Sequence, residues 1–160
     1  MNEATTVAHE LTEGRSVAVS TKGTSMRPLI KEGKCRVIVE PLQDELQTGD
    51  IGIFFLSGTT YVLHRIIAVE PEIYITRGDN CVNCEKVPKN RMLGAVTTIY
   101  KKNRKINMTD RSYRAYVRFW QLTTPLRIPF FKFRAKFKGL LYAAKRRIFS
   151  INPKGKNKNA

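Results

Sequence analysis

Along the first two thirds of the chain, short runs of β-branched, aliphatic and aromatic residues alternate with glycine-containing breaks. The runs are Val17 to Thr21, Cys35 to Val39, Ile51 to Leu56, Tyr61 to Val69, Ile73 to Thr76 and Leu93 to Tyr100. Each has the length and composition of a strand. Between them lie Lys22-Gly23-Thr24, Glu32-Gly33, Thr48-Gly49-Asp50, Ser57-Gly58 and Gly78-Asp79-Asn80, all of them turn chemistry. Asn103 to Lys105 reads as a further turn into one last strand piece. Many short strands at this spacing predict a mostly β domain, a small barrel or coiled sheet.

The pattern changes near Thr109. Thr109-Asp110 is a helix-start signal, and it predicts a helix from Arg111 to Leu122 that Pro125 and Pro129 interrupt. A second stretch, Phe130 to Phe149, places Phe137, Leu140, Leu141, Ala144 and Ile148 at helical spacing among lysines and arginines. Asn152 to Ala160 is lysine, asparagine and glycine, which predicts a disordered end. The organisation expected is a leading segment (1–15), a β domain (16–108), a basic amphipathic helical tail (109–151) and a loose end (152–160), with no internal repeat.

Composition sharpens this division. The chain has 160 residues, of which 42% are hydrophobic, enough for one packed domain with a tail. Its net charge of +16 is uneven: Met1 to Asp110 holds 15 basic and 13 acidic residues, whereas Arg111 to Ala160 holds 14 basic and none acidic. The basicity therefore belongs to the tail, and a domain basic all over is excluded. Three cysteines (Cys35, Cys81, Cys84) cannot make a disulfide framework and fit a reducing compartment. The first twenty residues carry Glu3, Glu10 and Glu13 and no apolar run, so they do not read as a secretory leader. No stretch approaches the roughly 18 apolar residues that a spanning helix needs. The expectation is a cytoplasmic protein, soluble or peripheral on a membrane.

Three segments carry candidate chemistry: Gly23-Thr24-Ser25-Met26-Arg27-Pro28-Leu29, Leu63-His64-Arg65-Ile66 and Arg77-Gly78-Asp79-Asn80. In chain order they supply a hydroxyl, an imidazole and a carboxylate, the three parts of nucleophilic acyl transfer. Alone, Ser25 beside glycine reads as a turn cap, His64 as a satisfied strand histidine and Asp79 as a turn residue. Together with Gly49-Asp50-Ile51, the Ser-Met-x-Pro, His-Arg and Gly-Asp-Asn pieces resemble the type I signal peptidases and the related self-cleaving repressors. A histidine at the second site resembles the endoplasmic-reticulum-type branch. The resemblance spans roughly Lys22 to Tyr100. Each motif is weak singly, and four in order are fairly specific.

The resemblance implies a signal-peptidase-like β domain and a serine endopeptidase acting on a leader or signal segment. It implies Ser25 as nucleophile and His64 as general base, a role suited to imidazole, whose unperturbed pKa is about 6.5. The Ser25 backbone N–H would face the oxyanion. Relatives often carry a hydroxyl two residues before the nucleophile. Gly23 stands there in this chain, leaving Thr24 as the candidate second donor. Asp79, which in relatives can pair with the arginine beside the base (here Arg65), and Glu85, the only carboxylate a few residues later, are both candidates for orienting His64. Asp50 reads as a turn residue entering a strand, and Met26 and Pro28 as shapers of the nucleophile turn. By resemblance the substrate is an extended peptide with small residues at the first and third positions before the scissile bond, lying along a strand edge.

Cys81-x-x-Cys84 lacks the further ligands of a zinc site and the helix start of a redox motif, and reads as loop residues near the active site. No cofactor or metal is expected. The tail, with phenylalanines, Trp120 and leucines among basic residues, suits an anionic membrane surface. It matches no nucleic-acid-binding fold, so no specific nucleic acid is expected. Tyr113, Tyr116, Val117, Trp120 and Leu122 form a face that fits docking of the first helix on the β domain. Two other functions fit the same residues. One is an inactive peptide-binding module of this fold, favoured by Gly23 and the Cys84-Glu85 sequence. The other is a self-cleaving regulator, which needs a scissile segment near Ala4, Ala8 or Ala18.

Overall fold

The computed structural model describes residues 3–57, 60–102, 104–131, 133, 134 and 137. They divide into two compact units, Met1–Thr123 and Thr124–Ala160.

The first unit is built on eight antiparallel strands. Helix α1 (Glu3–Thr12) precedes β1 (Val17–Ser20), β2 (Cys35–Pro41), β3 (Ile51–Ser57), β4 (Thr60–Val69), β5 (Ile73–Arg77), β6 (Glu85–Pro88), β7 (Met92–Lys101) and β8 (Arg104–Asn107). Helix α2 (Arg111–Leu122) follows. The sheet order is β1-β2-β7-β3-β4-β5-β6, with β8 also on β7. Among the described residues no pairing joins β1 to β6, so the ladder is an open path. Register shifts interrupt β2–β7, β3–β4, β3–β7 and β4–β5. Such irregularities bend and twist strands.

Alternation of side chains across the sheet creates two cores. One gathers Val19, Val37, Val39, Ile51, Ile53, Leu63, Val96 and Ile99 under Val7 and Leu11 of α1 and Tyr113 and Val117 of α2. The other is smaller: Leu46, Phe54, Ile66, Tyr74, Val87 and Met92. In mid-β4, Leu63, His64, Arg65 and Ile66 are all buried, because this strand is covered on both faces. Consecutive residues point to opposite faces. Leu63 and Arg65 thus belong with the larger core, and His64 and Ile66 with the smaller one.

The structure departs from the sequence reading in five places. The leading segment is a helix, with Val7 and Leu11 one turn apart and buried. Glu85–Pro88, unassigned from the sequence, is a strand paired with β5. Asp110 is the N-cap of α2 but makes no side-chain cap bond; its carboxylate instead accepts the Asn107 N–H at 3.1 Å. Pro129 does not interrupt helix: residues 124–131 are helical, with Pro125 in the first turn, where a missing N–H costs nothing. Of the docking face on α2, Tyr113 and Val117 are buried, whereas Leu122 is 80% exposed. Most of the Phe130 to Phe149 stretch and all of Asn152 to Ala160 lie outside the described residues. Among the described residues no helix is long and apolar enough to cross a membrane.

Candidate active site

The Ser25 segment follows β1 as a series of tight turns. Gly23 has a φ of +87°, a left-handed conformation that side chains other than glycine rarely adopt. The Arg27 N–H donates to the Thr24 carbonyl (3.2 Å), and the Ile30 N–H to the Met26 carbonyl (2.9 Å). The Arg27–Pro28 peptide bond is cis. Met26, Leu29 and Ile30 are buried in the larger core and anchor the turns, leaving Ser25 half-buried and Thr24 exposed.

A second turn, between β5 and β6, closes over this segment. The Asn80 N–H donates to the Ser25 carbonyl at 2.7 Å, and its side-chain amide to the Thr24 carbonyl at 3.2 Å. Gly78 sits between the two catalytic candidates. A Cβ there would lie 2.8 Å from the Ser25 carbonyl oxygen, 2.8 Å from Cys81 Sγ and 3.0 Å from His64 Nε2. Carbon atoms do not approach neighbours that closely, so glycine is required for packing rather than for torsion. The same distances bring the backbone of Ser25 and the imidazole of His64 to one spot.

His64 is 4% exposed, opposite Gly52 on β3 and edge-on to the Phe54 ring (centroids 6.1 Å apart). Its Nδ1 lies 2.9 Å from Glu85 Oε2. A carboxylate can only accept, so the proton of the neutral ring resides on Nδ1. Nε2 is then left as a bare lone pair, and this buried atom has no hydrogen-bond partner among the described residues. Glu85 opens β6, two strands from β4, and its long side chain spans the intervening β5. There Thr76, its register partner, donates to the same Oε2 at 3.2 Å.

Asp79 is used differently. It accepts two bonds from Arg65, at 2.8 Å from Nε and 2.7 Å from a terminal nitrogen, with both side chains only 2% exposed. Arg65 also donates to the Gly49 carbonyl (2.7 Å) and the Tyr113 hydroxyl (3.0 Å). Burial alone would lower the affinity of Arg65 for its proton, but Asp79 and Tyr113 outweigh it and hold the guanidinium above its ordinary pKa. Burial pushes the Tyr113 phenol up, with Arg65 pulling the other way. Of the two carboxylates open at the sequence level, Glu85 is the one on His64, and Asp79 ties the Gly78 turn to Arg65, the neighbour of His64. Asp50 is a turn residue, accepting the Gln47 N–H at 2.8 Å.

His64 and Glu85 are thus in direct contact, and the Ser25 backbone comes close to His64 across Gly78, while among the described residues the Ser25 hydroxyl makes no hydrogen bond to Nε2. Gly23 and Thr24 lie on the exposed rim, and Arg65 and Asp79 on the opposite face of the sheet. The sequence reading missed Thr76, Gly78 as a close-approach position, Asn80 as the clasp on Ser25, and Tyr113 as a partner of Arg65. Of these only Thr76 left a signal, its inward position in an alternating strand. All three cysteines are free. Cys81 is half-buried, and its thiol is pushed up chiefly by burial and then by the Glu85 charge. No family model matches the chain, and no curated protein matches it.

Proposed function

We propose that this chain is a serine endopeptidase of the signal-peptidase type, removing a leader or signal segment from a peptide. The observation that carries the reading is His64: its Nδ1 is engaged by Glu85, and its Nε2 has no partner among the described residues and shares the Gly78 spot with the backbone of Ser25. A histidine buried for packing alone would be expected to have both nitrogens satisfied.

In the first half-reaction, Ser25 Oγ attacks the peptide carbonyl while Nε2 of His64 takes the hydroxyl proton. Glu85 stabilises the imidazolium through Nδ1–H. The tetrahedral intermediate collapses, His64 gives its proton to the leaving amine, and the C–N bond breaks to leave an ester on Ser25. Water then adds to the ester with His64 again as base, releasing the carboxylic acid and restoring the hydroxyl. The Ser25 N–H, with Thr24 beside it, is the candidate oxyanion donor set. Asp79 and Arg65 touch no reacting atom and act as positioning residues. The twisted antiparallel sheet agrees with a signal-peptidase-like domain, whose open edges would receive an extended substrate by strand addition.

The test is a mixture of extended peptides varied at the first and third positions before the scissile bond, incubated with wild type and Ser25→Ala and read by mass spectrometry. Cleavage after small residues by wild type alone is expected. Peptide binding without cleavage, unchanged in Ser25→Ala, would overturn the proposal in favour of a binding module.

A further inference from the structure

Residues 124–131, 133, 134 and 137 are helical, and they expose an apolar stripe. Leu126, Phe130, Phe133 and Phe137 are 77%, 60%, 67% and 53% exposed. Their spacing of four, three and four residues keeps all four within an arc of about 60° on a helix of 3.6 residues per turn. Phe133 and Phe137 stack with centroids 6.3 Å apart. Four large apolar side chains in a row exceed the scattered exposure that a surface normally shows. Arg127 and Arg134 project from one flank of the stripe, the latter with its guanidinium 5.4 Å from the Phe131 ring centroid. From Arg111 to Ala160 no acidic residue offsets 14 basic ones.

We propose that this segment docks on an anionic lipid bilayer, lying in the interface with the phenylalanines in the acyl region and the basic side chains among the headgroup phosphates. Charge chooses the occupant. A second copy of the chain would bring the same positive segment against itself, whereas anionic lipid supplies both the apolar depth and the negative surface. Nucleic acid would satisfy the charge and leave the aromatic stripe in water. Long basic side chains beside such a stripe reach the interface while their stems cover apolar surface. Docking would concentrate the enzyme where leader-bearing or membrane-bound peptides reside. It stands apart from the catalytic reading, because it requires no turnover.

The experiment uses the full chain with Ser25→Ala, so that binding is read without catalysis. It is sedimented with phosphatidylcholine vesicles and with phosphatidylglycerol-rich vesicles, beside a variant that also carries Phe130→Ser, Phe133→Ser and Phe137→Ser. Binding to the anionic vesicles, weakened at least about tenfold in the triple variant with an unchanged circular dichroism spectrum, is expected. Three results would overturn the proposal: no vesicle binding, equal binding by the triple variant, or binding to duplex DNA that the triple substitution leaves intact while vesicles are ignored. A triple variant with an altered spectrum is replaced by the single changes Phe130→Ser and Phe137→Ser, each expected to weaken binding by a smaller factor, and undiminished binding in both would overturn it.

Discussion

Replacing Asp79 by Asn tests the physical reading of the site most severely. The side chain keeps its shape and one acceptor oxygen but loses its charge. Arg65 is then a cation 2% exposed, with the Gly49 carbonyl, the Tyr113 hydroxyl and a neutral amide as its partners among the described residues. Breaking a buried ion pair from one side costs about 3–5 kcal/mol, because the remaining charge stays desolvated. A domain of this size has a total stability of about 5–15 kcal/mol, so the loss is a large share of it. At several degrees per kcal/mol, the melting temperature should fall by roughly 10–20 °C. Thermal and urea unfolding followed by circular dichroism measure this directly. The pair Arg65→Met with Asp79→Leu removes both charges and should recover most of the loss, since an apolar pair of similar volume is often neutral or better. A melting temperature for Asp79→Asn within about 2 °C of wild type would show that the buried Arg65 charge does not depend on Asp79. So would a double variant no more stable than the single one.

The other predictions separate positioning from chemistry. Glu85→Gln keeps the length of the side chain that contacts His64 but can present an N–H to Nδ1, so the wrong tautomer becomes available; peptide turnover should fall by about 10²–10⁴-fold with little change in melting temperature. Gly78→Ala drives a methyl into the Ser25 carbonyl and His64 Nε2 and should cost about 10²-fold or more in kcat/KM, read with the same peptides. Tyr113→Phe removes a hydrogen bond to a charged group and should cost about 1.5–3 kcal/mol in urea unfolding. It should also flatten the alkaline limb of stability. The folded phenol is held above its unfolded value of about 10, so its contribution is complete below that pH and is lost as pH rises through the folded value.

The strands were legible because their residues alternate and glycine breaks bound them; β4 announced itself as Tyr61 to Val69 and runs Thr60–Val69. Helix α1 was hidden because threonines and glutamates dilute the single Val7–Leu11 pair that buries it. β6 was hidden because four residues, two of them charged and one a proline, carry no periodicity; only pairing with β5 makes them a strand. That same strand decides which carboxylate reaches His64. The order of Ser25, His64 and the two carboxylates is a property of the sequence, but the division of labour between Asp79 and Glu85 is not. It depends on His64 and Arg65 facing opposite sides of one strand, and on which side each acid approaches. The spacing of Tyr113 places it on a docking face, yet its hydroxyl contact with Arg65 spans 48 residues of chain and has no local signature.

In the proposed reaction Ser25 carries the acyl group and His64, oriented by Glu85, moves the proton. The direct measurement is the site of acylation when a cleaved peptide, or its ester analogue, is acid-quenched during turnover and the digested protein is mapped by mass spectrometry. The amino-terminal part of the substrate is expected on the Ser25 peptide in wild type, with neither adduct nor product from Ser25→Ala or His64→Ala. An adduct on Cys81, whose thiol lies beside the same Gly78 position, or undiminished turnover by Ser25→Ala would contradict that reaction.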